Sequence, residues 1–144
     1  MRRLCVDEDL REITRRTAEM LFGPPKKGEG VYDLWRQFDP ELARHISMFF
    51  TGRLYAREVL PQKVRELCAI AALTVLNRTE ELRLHIHAAL NVGATKQEVA
   101  EVIFQMLTYG GVPTMVEGLK LVKEVLQARG EWTEGEAGEG RAHG

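Results

Sequence analysis

The segment PQKVRELCAIAALTVL, residues 61–76, constrains the fold more than any other part of this 144-residue chain. It opens on a proline, which suits the first helical position, and past Glu66 it is apolar nearly all round. A helix of that kind has to be covered on most of its sides. On its wheel Glu66 shares a face with Ile70, Leu73 and Asn77, all within about 40° of one another. A carboxylate on such a face is desolvated, so it must be protonated or have a partner. Cys68 lies on the opposite face with Val64, Ala71 and Val75, and that placement predicts a small core residue.

Helix signals recur along the rest of the chain. Asp7 to about Phe22 has Leu10, Ile13, Thr17 and Leu21 on one side, and the loop GPPKKGEG closes it. In DPELARHISMFF, Asp39 is set to cap a helix with Pro40 in its first position and Glu41 in its first turn. NRTEELRLHIHAALNVG predicts a helix ending near Gly93. Thr95 and Glu98 form a capping box for ATKQEVAEVIFQML, and YGGVP then breaks the chain. A last helix from about Pro113 to Ala128 carries Met115, Leu119, Val122 and Leu126 at helical spacing. No stretch alternates apolar and polar residues. The expected fold is therefore all-α, a single helical domain over residues 1–129 with about six helices. The tail GEWTEGEAGEGRAHG, 130–144, has too little apolar surface to offset its ordering entropy and is expected to be disordered.

A net charge of −1 supplies no global field toward nucleic acid or an anionic membrane, and neither is expected as a partner. Apolar runs stop well short of the roughly 18 residues that span a bilayer, and MRRLCVDEDL lacks the apolar region of a signal peptide. These features predict a cytoplasmic protein. Its two cysteines, Cys5 and Cys68, form no CxxC, and no structural disulfide is expected.

Two histidines, His85 and His87, are separated by one isoleucine. Two residues on a helix turn about 200°, so the rings face nearly opposite ways and do not converge on one metal ion; no metal is expected. Leu82, Ile86 and Ala89 define an inner stripe, with His85, Arg78 and Glu81 along its edge. His85 therefore faces inward, whereas His87 falls with Arg83 and Leu84 on a surface or interface side. An inward histidine beside a buried glutamate has two readings. It is a satisfied pair joining two helices, or it is an acid/base pair able to share a proton near neutral pH. Tyr109 and the GGVP break are candidates for a pocket mouth or a plain turn. No phosphate loop, HExxH or serine nucleophile elbow is present.

With these residues in view, the sequence resembles the carboxymuconolactone decarboxylase family, which also includes alkyl hydroperoxidase D. The likeness runs from about Thr51 to Leu126 through GRLY, VRELCAIAAL, LNRTEELRLHIHAALNVGATKQEVAEVIFQ and YGGVP, in order and with family-like spacing. It implies a helical bundle of the alkyl hydroperoxidase D-like type and assembly into a homotrimer or homohexamer, which would cover helices apolar on two sides. In the hydroperoxidase branch a relay glutamate and histidine flank a redox CxxC. Glu66 and His85 match the relay ends, but Arg78 and Glu81 stand at the cysteine positions. Neither can form a disulfide, so peroxide reduction by that route is excluded.

The decarboxylase branch is the nearer one, sharing the Arg, the paired acids, the second Arg and the His of RLH. The chain departs from it with His87 in place of arginine and Asn77 in place of glycine. This resemblance implies a cofactor-free lyase or isomerase acting on a small carboxylated lactone or related carboxylate. His85 would supply the proton, Glu66 would orient or recharge the ring, and Arg78 would hold a carboxylate or oxyanion. Glu81, three residues on, is expected to neutralise Arg78. The rivals are a non-catalytic oligomeric helical protein and a redox protein using Cys68.

Overall fold

A computed structural model describes residues 2–133 apart from Lys27 and Glu29, with side chains from Asp9 onward. The elements run α1 (Arg2–Phe22), α2 (Val31–Phe38), α3 (Pro40–Ser47), a π-helical segment (Met48–Tyr55), α4 (Gln62–Val75), α5 (Thr79–Asn91), α6 (Lys96–Gln105) and α7 (Leu107–Ala128). There is no strand among the described residues, and the all-α expectation holds. No helix among them is long and apolar enough to cross a membrane.

The start signals work as the sequence implied. Asp39 Oδ1 accepts from the amides of Glu41 and Leu42 at 3.0 and 2.9 Å. Thr95 and Glu98 satisfy each other's backbone amides in a full capping box. Between α4 and α5, Asn77 takes a left-handed φ of 53°. Asparagine tolerates that region and glycine enters it freely, so the Asn-for-glycine departure meets one and the same backbone demand. The YGGVP break is a kink inside α7, where Gly111 has φ 83° and ψ 171°, outside helical geometry.

The core lies between the last four helices. Ile70 from α4, Leu82, Ile86 and Ala89 from α5, Val99 and Ile103 from α6, and Leu121, Val122, Val125 and Leu126 from α7 pack into one buried cluster. Helix α1 lies across α5 and the π-helical segment, burying Leu10, Thr17 and Leu21. Asn91 fastens this end by donating to the Leu21 carbonyl at 2.8 Å and accepting from Arg129 at 2.9 Å.

Several details differ from the sequence reading. Helix α2 is an addition to the six anticipated; it is eight residues long and buries none of them, so no core stripe announced it. The MFFTGRLY run winds as a π-helix, closed where the Ala56 amide donates to the Thr51 carbonyl five residues back. Helix α4 is fully buried in the single chain only along Glu66, Ile70 and Thr74, with Leu67 and Leu73 partly buried against the core. Cys68 is accordingly exposed and free, not a core residue. Trp132, just past Gly130, packs against the core with the ammonium groups of Lys96 and Lys123 at 5.2 and 5.3 Å from its ring. Residues 134–144 of the expected tail, like the Cys5 side chain, lie outside the described residues.

Gly52 lets the π-helical segment press against α1. A Cβ there would fall inside van der Waals contact of Thr14 Oγ1 and 3.0 Å from Leu10 Cδ1, and Thr14 is itself tied to the Leu10 carbonyl at 2.6 Å. Gly52→Ala is therefore expected to lower unfolding stability by about 1–3 kcal/mol in a denaturant titration. An unchanged midpoint would mean that α1 yields at no cost.

Candidate active site

Glu66 sits on the inward face of α4 one turn before Ile70, and both are 0% exposed. Helix α5 packs on α4, and its 3.6-residue turn that buries Leu82, Ile86 and Ala89 carries His85 to the same seam. There the His85 Nδ1–H donates to Glu66 Oε2 at 2.7 Å, with the imidazole side chain 12% exposed. The carboxylate fixes the proton on Nδ1, so Nε2 is the nitrogen left to act. The second carboxylate oxygen, Oε1, is buried with no hydrogen-bond partner. The pair is thus short, desolvated and half satisfied, which strengthens each electrostatic contact it makes.

Two aromatic rings frame the imidazole. Phe22, at the end of α1, meets it edge-on, with centroids 6.3 Å apart and an interplanar angle of 83°. Tyr55, the last residue of the π-helical segment, stands 6.4 Å away at 41°, and Phe50 backs it at 4.8 Å. Burial pushes the Tyr55 phenol above its usual pKa, and the Glu66 carboxylate adds to that, with the Arg65 guanidinium opposing. The phenol therefore stays protonated across the physiological range.

The structure joins Glu66 and His85 as the sequence suggested. It does not join the other candidates to them by any contact. Arg78 precedes α5, exposed, two turns from His85 and on the same side by the helical step. Glu81 is also exposed, and the expected Arg78–Glu81 neutralisation is not formed: among the described residues neither side chain has an ion pair. Tyr109 is 68% exposed on α7 and makes no ring contact with His85. Phe22 and Tyr55 are the neighbours that sequence reading passed over. Tyr55 lay in the quoted GRLY, but nothing local to that motif aims its ring at a residue on α5. His87 is half-buried on the other side of α5, where burial first, then the Arg129 and Arg83 guanidinium groups, hold its pKa below the ordinary imidazole value.

Comparison with known proteins matches residues 40–124 to the model of the carboxymuconolactone decarboxylase family. The chain is 36% identical over 93 residues to the 4-carboxymuconolactone decarboxylase of Acinetobacter baylyi, covering 65% of this chain and 69% of the relative. It is 43% identical over 82 residues to an uncharacterized 15.0 kDa protein of Paracoccus denitrificans, covering 56% and 60%. A nitrosuccinic acid decarboxylase of Metarhizium robertsii is 26% identical over 81 residues, covering 56% and 57%. The chain thus spans less than two thirds of the last two relatives.

Two stability outcomes follow from the geometry. His85→Ala strips the buried carboxylate of its donor and should cost about 3 kcal/mol at neutral pH, whereas Glu66→Gln, which removes the charge and keeps an acceptor, should cost no more than about 1.5 kcal/mol. Denaturant titrations of both variants check the order; equal losses would mean that the carboxylate is not desolvated. For His87, a folded pKa below the unfolded one means stability that is present above about pH 6.5 and lost as pH falls through that range. His87→Gln should therefore flatten the decline in melting temperature between pH 7 and pH 5, and an unaltered slope would assign that decline to other groups.

Proposed function

The chain belongs to the carboxymuconolactone decarboxylase family, and from that premise we propose that it is an acid/base lyase for a small carboxylated lactone or a related carboxylic acid. The observation that carries this reading is the 2.7 Å Glu66–His85 pair with its fully buried carboxylate. Two of the relatives are named as decarboxylases, for carboxymuconolactone and for nitrosuccinic acid. Both names support the same demand on a site: loss of CO2 leaves a carbanion that must be stabilised and then protonated.

In the proposed reaction the bond between the substrate carbon and its carboxylate breaks. The electron pair passes into the neighbouring conjugated carbonyl, giving a dienolate, and CO2 departs. The Nε2–H of protonated His85 then delivers its proton to carbon, and the imidazole is reprotonated from solvent. Glu66 acts on the ring alone: it holds Nδ1–H, keeps Nε2 directed outward and offsets the imidazolium charge. Arg78, exposed and without an ion pair among the described residues, is the proposed holder of the substrate carboxylate or developing oxyanion. Glu81 and Tyr109 stay as proposed outer contacts. General acid/base transfer of this kind contributes about 10²- to 10⁴-fold.

Assembly into a homotrimer or homohexamer belongs to the same reading. Val64 and Leu76 at the two ends of α4 and Leu107, Val112 and Val116 on α7 are all at least 37% exposed in the single chain. Exposed apolar side chains on these two helices support a partner surface.

The deciding experiment follows the ultraviolet absorbance of carboxymuconolactone with the protein and with His85→Gln in parallel. The glutamine amide preserves a donor for Glu66 while removing the transferable proton. Turnover by the wild type, reduced at least about 10²-fold in the variant with circular dichroism unchanged, is the expected result. Full turnover by the variant would remove His85 from the role, and no turnover by the wild type would remove this substrate.

A further inference from the structure

Because Nδ1 of His85 is committed to Glu66, anything that reacts with the imidazole must reach Nε2, and a side chain 12% exposed leaves a narrow approach. Phe22 stands nearly perpendicular to the imidazole, while Tyr55 is tilted 41° to it with ring centroids 6.4 Å apart. The placement of Tyr55 is built into the backbone. Its carbonyl accepts from the Gln62 side-chain amide, and the carbonyl of Arg57, two residues on, accepts from Arg65 at 3.0 Å. Both donors stand on α4, and Gln62 is one turn before Glu66. One rigid helix therefore fixes the acid of the pair and the stretch of chain that presents the aromatic ring. The π-helical winding matters as well. Each π turn takes one residue more than an α turn, so the same eight residues in an α-helix would aim Tyr55 elsewhere.

We propose that Tyr55 is the specificity-determining wall of the Glu66–His85 site: its ring covers the approach to His85 Nε2 and lies against the unsaturated face of the bound acid. The second half of this rests on the lyase reading; the first does not. A flat conjugated substrate gains an offset stacking contact on such a ring. Arg65, whose guanidinium is held at the Arg57 carbonyl, keeps a positive charge near the same ring, which suits a substrate that is an anion.

Two measurements on Tyr55→Ala and Tyr55→Phe test this. The first is the rate at which diethyl pyrocarbonate acylates His85, read by tandem mass spectrometry against His45, an exposed histidine on α3. The alanine variant should react at least about fivefold faster at His85 with His45 unchanged, and the phenylalanine variant should match the wild type. An unchanged His85 rate in Tyr55→Ala overturns the wall. If His87 and His85 accelerate together, the sign of an opened fold, Tyr55→Val is read in its place by the same criterion. The second measurement uses carboxymuconolactone: KM should rise about tenfold in the alanine variant with kcat much less affected, and the phenylalanine variant should restore both. An unmoved KM overturns the substrate contact. A wild type without turnover defeats the lyase reading alone, because the acylation rates still decide whether Tyr55 guards Nε2.

Discussion

A carboxylate with no exposure to solvent organises this molecule. Moving an ionised group out of water carries a penalty of several kcal/mol even after relaxation, and one short hydrogen bond to an imidazole only partly returns it. Everything near Glu66 is arranged to limit that penalty. Helix α5 must lie on α4 in one register for His85 Nδ1 to reach Oε2 at 2.7 Å. The left-handed Asn77 turn between the two helices supplies that register. Slippage by one residue would rotate His85 about 100° and strand the charge.

The same constraint explains the unusual wall of the site. Phe22 and Tyr55 stand beside the imidazole, and Phe50 backs Tyr55. Low local polarity strengthens the Glu66–His85 contact and raises the phenol of Tyr55 together. Gly52 is part of this arrangement, since the segment that ends in Tyr55 can approach α1 only where no Cβ intervenes. Packing of the first helix and the Glu66–His85 pair between α4 and α5 are thereby linked through a single stretch of π-helix.

Helix starts, the capping box and the inner stripe of α5 were legible because each depends on residues within one or two turns of each other. Glu66 and His85 were legible for a related reason: both stand on faces otherwise apolar, and polar groups on such faces call for partners. Helix α2 was not legible, because a helix that buries nothing leaves no stripe in the sequence. The exposure of Cys68 was missed because an apolar wheel tells that a face is to be covered, not whether the same chain covers it. Trp132 was lost in a polar tail whose average composition hid one anchoring ring. Tyr55 was missed because a π-turn changes which way a side chain points, and no local spacing signals that change.

The proposed acid/base role for Glu66 and His85 rests on what the pair costs to bury. Apolar residues of similar volume hold two helices together at least as well as a buried ion pair does, and often better. The short bond from His85 Nδ1 to Oε2 at a fully buried position is also what a proton-transfer pair would use to hold its imidazole. That leaves a group costly to bury, bonded to an imidazole with two aromatic rings beside it. Such an arrangement fits the proposed proton transfer. The physical cost of Glu66 is therefore the strongest reason to read the seam between α4 and α5 as a site of chemistry.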